Sequence, residues 1–185
     1  MASTAPAPAA VIVMAAGKGT RMRSATPKVL HTIGGRSLLA HAVAAARGLH
    51  PDHLVVVVRH ERDAVVAHLA EVAPNAVAAD QDEVPGTGRA VACGLASLPA
   101  DLTGPVVVTS GDVPLLDTAT LRDLLAQHAR RGDAVTLLTT VLDDPTGYGR
   151  VVREDDGPDS PVSAIVEQRD ASPEQRAITE INAGV

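Results

Sequence analysis

Aromatic residues are almost missing from this chain. Trp and Phe do not occur, and Tyr148 is the one aromatic in 185 residues, so a base-stacking surface for nucleic acid cannot be built from it. Cysteine is as scarce: Cys93 stands alone. That excludes an internal disulfide and any CxxC or Cys/His zinc spacing, and it points to a reducing, cytoplasmic compartment. Positive charge is in deficit, with 16 Lys and Arg against 22 Asp and Glu and a net charge of −6, the wrong sign for general nucleic-acid binding. No run approaches the ~20 consecutive apolar residues that span a bilayer. A hydrophobic fraction of 45% with 21% charged residues excludes disorder as the main state. Groups that bind anions in such a chain must be few and placed.

What is present is an alternation of apolar runs and helical patterns. Val11–Met14 and Leu54–Val58 are short β-branched runs of the kind buried on both faces in a parallel sheet. Between them, residues 37–47 carry a helical pattern that Gly48 stops, making a βαβ unit. The alternation continues: helix over 63–69, a weak strand over 76–79, helix over 87–97, strand over 105–110, helix over 118–131 and an apolar strand over 134–141. This is the pattern of an α/β fold with a mostly parallel sheet, whose ligands sit at the carboxyl ends of its strands. After Asp143 the texture changes to a turn over 145–149 and a hairpin of 150–152 with 162–166. The small, Pro-rich opening over residues 1–10 has no basic start and no leucine-rich run; it reads as a disordered tail, not a secretory signal. Residues 11–185 then form one domain, and the apolar run opening at Glu180–Val185 predicts that this domain is C-terminally incomplete.

The loop after the first strand is Ala15-Ala-Gly-Lys-Gly-Thr-Arg-Met22, and glycine-rich turns there let backbone N–H groups approach phosphate oxygens. It is not a P-loop, because Lys18 lies between Gly17 and Gly19 with no Ser or Thr after it. Nor is it a dinucleotide fingerprint, since the third glycine would fall at Met22. A GxGTR stretch with Pro27-Lys28 close behind remains, and it sets two cations on one short loop.

Met14-Ala-Ala-Gly-Lys-Gly-Thr-Arg21 with Pro27-Lys28 resembles the signature of nucleotidyltransferases that join a nucleoside triphosphate to a phosphorylated small molecule. Gln81 with Pro85-Gly-Thr-Gly88, Ser110-Gly-Asp-Val-Pro114, Asp143 to Arg150, Ile165-Val-Glu167 and Glu180-Ile-Asn-Ala-Gly184 follow in the order of one branch. That branch is the uridyltransferase domain of the bifunctional N-acetylglucosamine-1-phosphate uridyltransferases/glucosamine-1-phosphate acetyltransferases. The resemblance covers Val11 to Val185. It implies a Rossmann-like nucleotide-diphospho-sugar transferase fold, with a mostly parallel mixed sheet flanked by helices. The implied reaction joins UTP to N-acetylglucosamine 1-phosphate, yielding UDP-N-acetylglucosamine and pyrophosphate with Mg2+, a step toward peptidoglycan precursors. It also implies that the acetyltransferase β-helix domain, and an asparagine serving as second metal ligand, lie beyond this sequence, and that the full-length protein is a homotrimer.

The resemblance carries roles to particular positions. Arg21 would take the departing β- and γ-phosphates, and Lys28 would bridge the α-phosphate and the incoming sugar phosphate, making these two the catalytic residues. A planar guanidinium grips phosphate oxygens in pairs, whereas an ammonium is a compact, mobile charge. Asp112, after its strand, would hold the metal, while Asp117 fits a helix start. Met14, Ala15, Ala16 and Gly17 would lie along the nucleotide. Gln81, Gly86 and Thr87 would meet the uracil end, Thr87 being equally a helix cap. Ser110 and Gly111, just before the metal position, would also bind substrate. Gly149, Glu167 and Asn182 would hold the sugar; without the resemblance, Gly149 reads as a turn glycine and Glu167 as a strand-end acid. The seven histidines show no ligand spacing and receive no role.

Such chemistry suits these residues. A sugar phosphate with a second pKa of ~6 is already largely dianionic at neutral pH, so no general base is required. Repulsion between two polyanions is the obstacle, since one pair of unit charges about 4 Å apart costs ~4 kcal/mol at an effective dielectric of ~20. Two alternatives share the motif evidence: a nucleotidyltransferase for another sugar phosphate or alcohol phosphate, and a non-catalytic nucleotide-binding module.

Overall fold

The computed structural model describes residues 7–19, 22–155, 157 and 160–185. Two compact units divide the chain, Met1–Ala134 and Val135–Val185.

In the first unit β1 (Ala10–Met14) is an unbroken apolar run, and each neighbour of it is also β-branched. A hairpin of β2 (Thr32–Ile33) and β3 (Arg36–Ser37) leads into α1 (Leu38–Arg47); then come β4 (His53–Val58), α2 (Arg62–Val72), β5 (Val77–Asp80), α3 (Thr87–Ala96), β6 (Val106–Ser110) and α4 (Thr118–Arg131). β5, β4, β1 and β6 lie in that order as a wholly parallel sheet. Val11, Ile12, Val13 and Val55 through Val58 have no solvent exposure, because helices cover both faces. On one face Ile12, Val55, Val57 and Ala79 pack with Ala90 of α3. Gly94 lets that helix approach: a Cβ there would stand 2.9 Å from Ile12 Cγ2 and 3.0 Å from Val57 Cγ2. On the other face α1 buries Leu39, Val43 and Ala46. Its N-cap Ser37 accepts from the Ala40 N–H (2.9 Å), and its hydroxyl is also hydrogen-bonded with His68 Nε2, 2.7 Å away.

In the second unit β7 (Thr139–Val141), β8 (Arg150–Arg153), β9 (Val162–Val166) and β10 (Glu180–Asn182) form an antiparallel sheet in the order β7-β10-β8-β9, with the short α5 (Pro173–Arg176) preceding β10. α5 starts at a capping box of Ser172 and Gln175. The α/β expectation holds.

Three local expectations change. The strand expected over 134–141 is regular only from Thr139. Leu138 instead exchanges backbone hydrogen bonds with Val185 and Ala183 beyond the end of β10, so this segment belongs to the antiparallel sheet. The tail expected over 1–10 does not include its last residues: Ala9 donates to Pro105 O, Asp52 donates to Pro8 O, and Ala10 opens β1. Residues 1–6 lie outside the described residues. Finally, Gly86, not Thr87, caps α3, with φ at +118° and no side-chain cap bond.

Candidate functional site

β1 and β6 are neighbours although β4 and β5 come between them in the chain, and at such a reversal the loops at the carboxyl edge part to leave a crevice. A cleft of about 360 Å3 opens there. Ten expected residues line it: Met14, Ala15, Ala16, Gly17, Lys28, Gln81, Gly86, Thr87, Ser110 and Asp112. Gly111 is buried just behind, its N–H donating to Met14 O (2.9 Å). Arg21 lies outside the described residues.

Backbone hydrogen bonds anchor the glycine loop at its base, where Ala15 N–H donates to Val57 O (2.8 Å). Gly19 takes φ at +61°, and a Cβ on it would stand 2.6 Å from Lys28 Cβ. Only glycine meets both demands, and the loop thereby packs against the stem of Lys28. The Lys28 ammonium contacts Asp112 Oδ2, with the two side chains 34% and 31% exposed. Residues far apart in sequence thus put one cation and one carboxylate together at the mouth of the cleft. Asp112 Oδ1 has no hydrogen bond among the described residues. No group of three or more His, Cys, Asp or Glu gathers among them either. One carboxylate with a free oxygen suits a metal that takes most of its ligands from phosphate and water, and does not suit an all-protein cage.

The loop from β5 to α3 is held from within. Gln81, buried, donates its amide hydrogens to Val84 O (2.9 Å) and Gly86 O (3.2 Å). With both donors engaged, only its carbonyl oxygen is left for a ligand. Asp82 accepts from Arg89 Nε (2.9 Å) and from the Val84 N–H (3.1 Å). The Arg89 hydrogen bond, helped by Val84 and by the Arg59 charge, holds that carboxyl below the usual carboxylate range against the opposing effect of desolvation.

Lys18, Arg59 and His60 line the same cleft, and Arg59 donates to Glu83 O (2.9 Å). None was expected. The available signal was position: Arg59 and His60 follow the carboxyl end of β4, where a parallel sheet presents its ligands.

Gly149, Glu167 and Asn182 fall in the second unit, where they converge. A Cβ on Gly149 would lie 3.3 Å from Glu167 Oε1, and Gly149 O accepts from the Asn182 N–H (3.1 Å). Asn182 Oδ1 in turn accepts from Gly184 N–H (3.0 Å). In the same sheet Arg153 donates to both oxygens of Glu180 (2.8 and 2.6 Å), and Thr139 adds a third bond (2.6 Å). Chiefly through the Arg153 hydrogen bonds, that carboxyl sits below its ordinary range.

Comparison with known proteins gives one consistent picture. The family model of the MobA-like NTP transferase domain matches residues 11–173. Bifunctional protein GlmU of Kineococcus radiotolerans is 61% identical over 99% of this chain and 37% of its own length; that of Streptomyces avermitilis is 58% identical over 96% and 36%. The chain therefore spans a little over a third of these relatives. Among solved structures, a putative glucose-1-phosphate thymidylyltransferase from Bacillus anthracis aligns at a TM-score of 0.75 and 19% identity, covering 94% of this chain and 68% of that one. A UDP-glucose pyrophosphorylase in complex with UDP-glucose aligns at 0.72 and 15%, covering 96% and 74%. At those identities the likeness establishes the nucleotide-diphospho-sugar transferase fold. No helix among the described residues is long and apolar enough to cross a membrane.

Proposed function

This chain belongs to the family of MobA-like NTP transferase domains, and from that premise we propose that it carries the uridylyl-transfer half of a bifunctional enzyme. The reaction joins UTP and N-acetylglucosamine 1-phosphate into UDP-N-acetylglucosamine and pyrophosphate. The observation that carries the proposal is the contact of Lys28 with Asp112 in a cleft lined by the glycine loop, Gln81 and the start of α3. The relatives named above support the choice of substrates.

The chemistry requires charge cancellation more than proton transfer. In the free cleft Lys28 and Asp112 neutralise each other. When a triphosphate enters, the ammonium exchanges its carboxylate for phosphate oxygens and stands where the attacking and departing groups meet. Arg21 takes the departing phosphates. Asp112, released, would hold a divalent ion, Mg2+ by resemblance, and such an ion would supply Lewis-acid neutralisation of the phosphates. Gln81 Oε1 accepts from the base; among the common pyrimidines, uracil offers a ring N–H donor to it where cytosine does not. Ala15 to Gly17 lie along the nucleotide, Gly86 and Thr87 contact it, and Ser110 and Gly111 keep Asp112 in place. Gly149, Glu167 and Asn182 hold the sugar. A cytoplasmic homotrimer is the setting we infer for the whole protein.

Pyrophosphate release by the whole protein, measured with UTP, CTP and GTP against several sugar 1-phosphates, tests the reading. Turnover should be confined to UTP with N-acetylglucosamine 1-phosphate. Equal rates with CTP or GTP would replace it by another nucleotidyltransferase, and uridine-nucleotide binding without turnover by a non-catalytic module.

A further inference from the structure

Arg150 is the largest fully buried side chain among the described residues, at 1% exposure, and it forms no ion pair among them. Burying an ionised group without a counter-charge is unfavourable unless hydrogen bonds replace its water. The direct replacements here are neutral oxygens from three separate segments, and the Asp144 carboxylate lies near enough to feel the charge without bonding to it. Its guanidinium donates to Tyr148 O, to Gln168 Oε1 (2.7 Å) and, at 3.5 Å, to Arg176 O, while Nε has no partner. Gln168 Oε1 also accepts from the Gly147 N–H at 3.4 Å. One cation therefore ties the 145–149 turn to the residue after Glu167 and to the end of α5.

Those segments carry the sugar-side groups. Tyr148 precedes Gly149, Gln168 follows Glu167, and β8, which begins at Arg150, pairs with β10 at Ile181, the neighbour of Asn182. Gly149 is already packed tightly, since a Cβ there would meet Ile165 Cγ2 at 3.1 Å and Glu167 Oε1 at 3.3 Å. A change of a few tenths of an ångström in the turn alters the gap between the Gly149 backbone and the Glu167 carboxylate. We propose that Arg150 is the positioning residue of the sugar subsite, acting through the Tyr148 carbonyl and the Gln168 side chain to set the spacing of Gly149 and Glu167. The inference rests on the reading that these two residues hold the sugar.

Steady-state pyrophosphate release by the whole protein, with each substrate varied in turn, separates positioning from general stability. Gln168→Ala removes the acceptor that joins Arg150 to Gly147 while leaving the buried cation in place. It should raise KM for N-acetylglucosamine 1-phosphate about tenfold, the worth of one charge-assisted hydrogen bond, leave KM for UTP unchanged, and lower the melting midpoint, because the buried cation loses an acceptor. Gln168→Glu keeps the acceptor oxygens and should restore the parent KM. Arg150→Met should reproduce the sugar-side defect if it folds; if it does not fold, the Gln168 pair decides. The inference is overturned if both KM values rise together, or if Gln168→Ala leaves the sugar KM unmoved while Glu167→Ala raises it. If Glu167→Ala also leaves it unmoved, or the parent does not turn over this sugar phosphate, the functional reading itself fails and the inference falls with it.

Discussion

In Met1–Ala134 the order comes from hydrocarbon. Seven adjacent β1 and β4 positions are sealed from solvent by α1 and α3, and nearly every buried apolar residue belongs to this unit. In Val135–Val185, among the described residues, only Val151, Ala171 and Ile181 are buried hydrophobics, while Val135, Val141, Tyr148, Val162 and Ile165 are exposed. Polar ties take over there: Arg150 with its three oxygens, and Arg153 with Glu180 and Thr139. The first arrangement is insensitive to pH and tolerant at its surface, the second directional and dependent on charge. The nucleotide cleft rests on the first, and the expected sugar residues on the second.

The largest test of this contrast is a pair of truncations. Ile12→Ala, in the sealed sheet, should cost about 2–5 kcal/mol by chemical denaturation, whereas Ile165→Ala on the half-exposed β9 should stay within ~0.5 kcal/mol. Equal losses would break the comparison. Next, Lys28→Ala and Asp112→Asn should each lower kcat about 10^2-fold or more with unchanged circular dichroism and melting, because the cleft stands on apolar packing that neither residue supplies. A third test uses acid. Glu180 has its carboxyl depressed by Arg153, so its contribution is present above the unfolded carboxylate pKa and is lost as pH falls through the folded one. Hydrogen exchange in residues 139–182 should accelerate below the usual carboxylate range before that of β1 and β4, and Glu180→Gln should remove the difference. The smallest effect is Ser37→Ala, which deletes the cap of α1 and its link to His68, at about 1 kcal/mol in denaturant melts.

The same contrast governs what could be read in advance. β1 and β4 were legible because a strand buried on both faces must be apolar throughout, β6 because it opens on a β-branched run, and α1 and α4 because their faces follow the helical period. β10 was not, because Glu180-Ile-Asn carries too little periodicity and its pairing with β7 and β8 is a tertiary choice. The regular part of β7 shrank for the same reason. In the site, motif order led to the residues lining the cleft, but which atoms they present was set by local bonds. Gln81 turns its donors inward to Val84 and Gly86, and Arg59 and His60 enter through sheet order alone. The burial of Arg150 was not legible, because nothing local says that a guanidinium will be enclosed.

Gly19 bears on the cation more directly than its size suggests. Since the lysine stem rests where its side chain would be, the glycine turn and Lys28 behave as one mechanical part: whatever bends the turn swings the ammonium at the far end of four methylenes. A nucleotide bound as proposed, pressing on the backbone at its phosphates, would therefore also push on the lever that aims the charge.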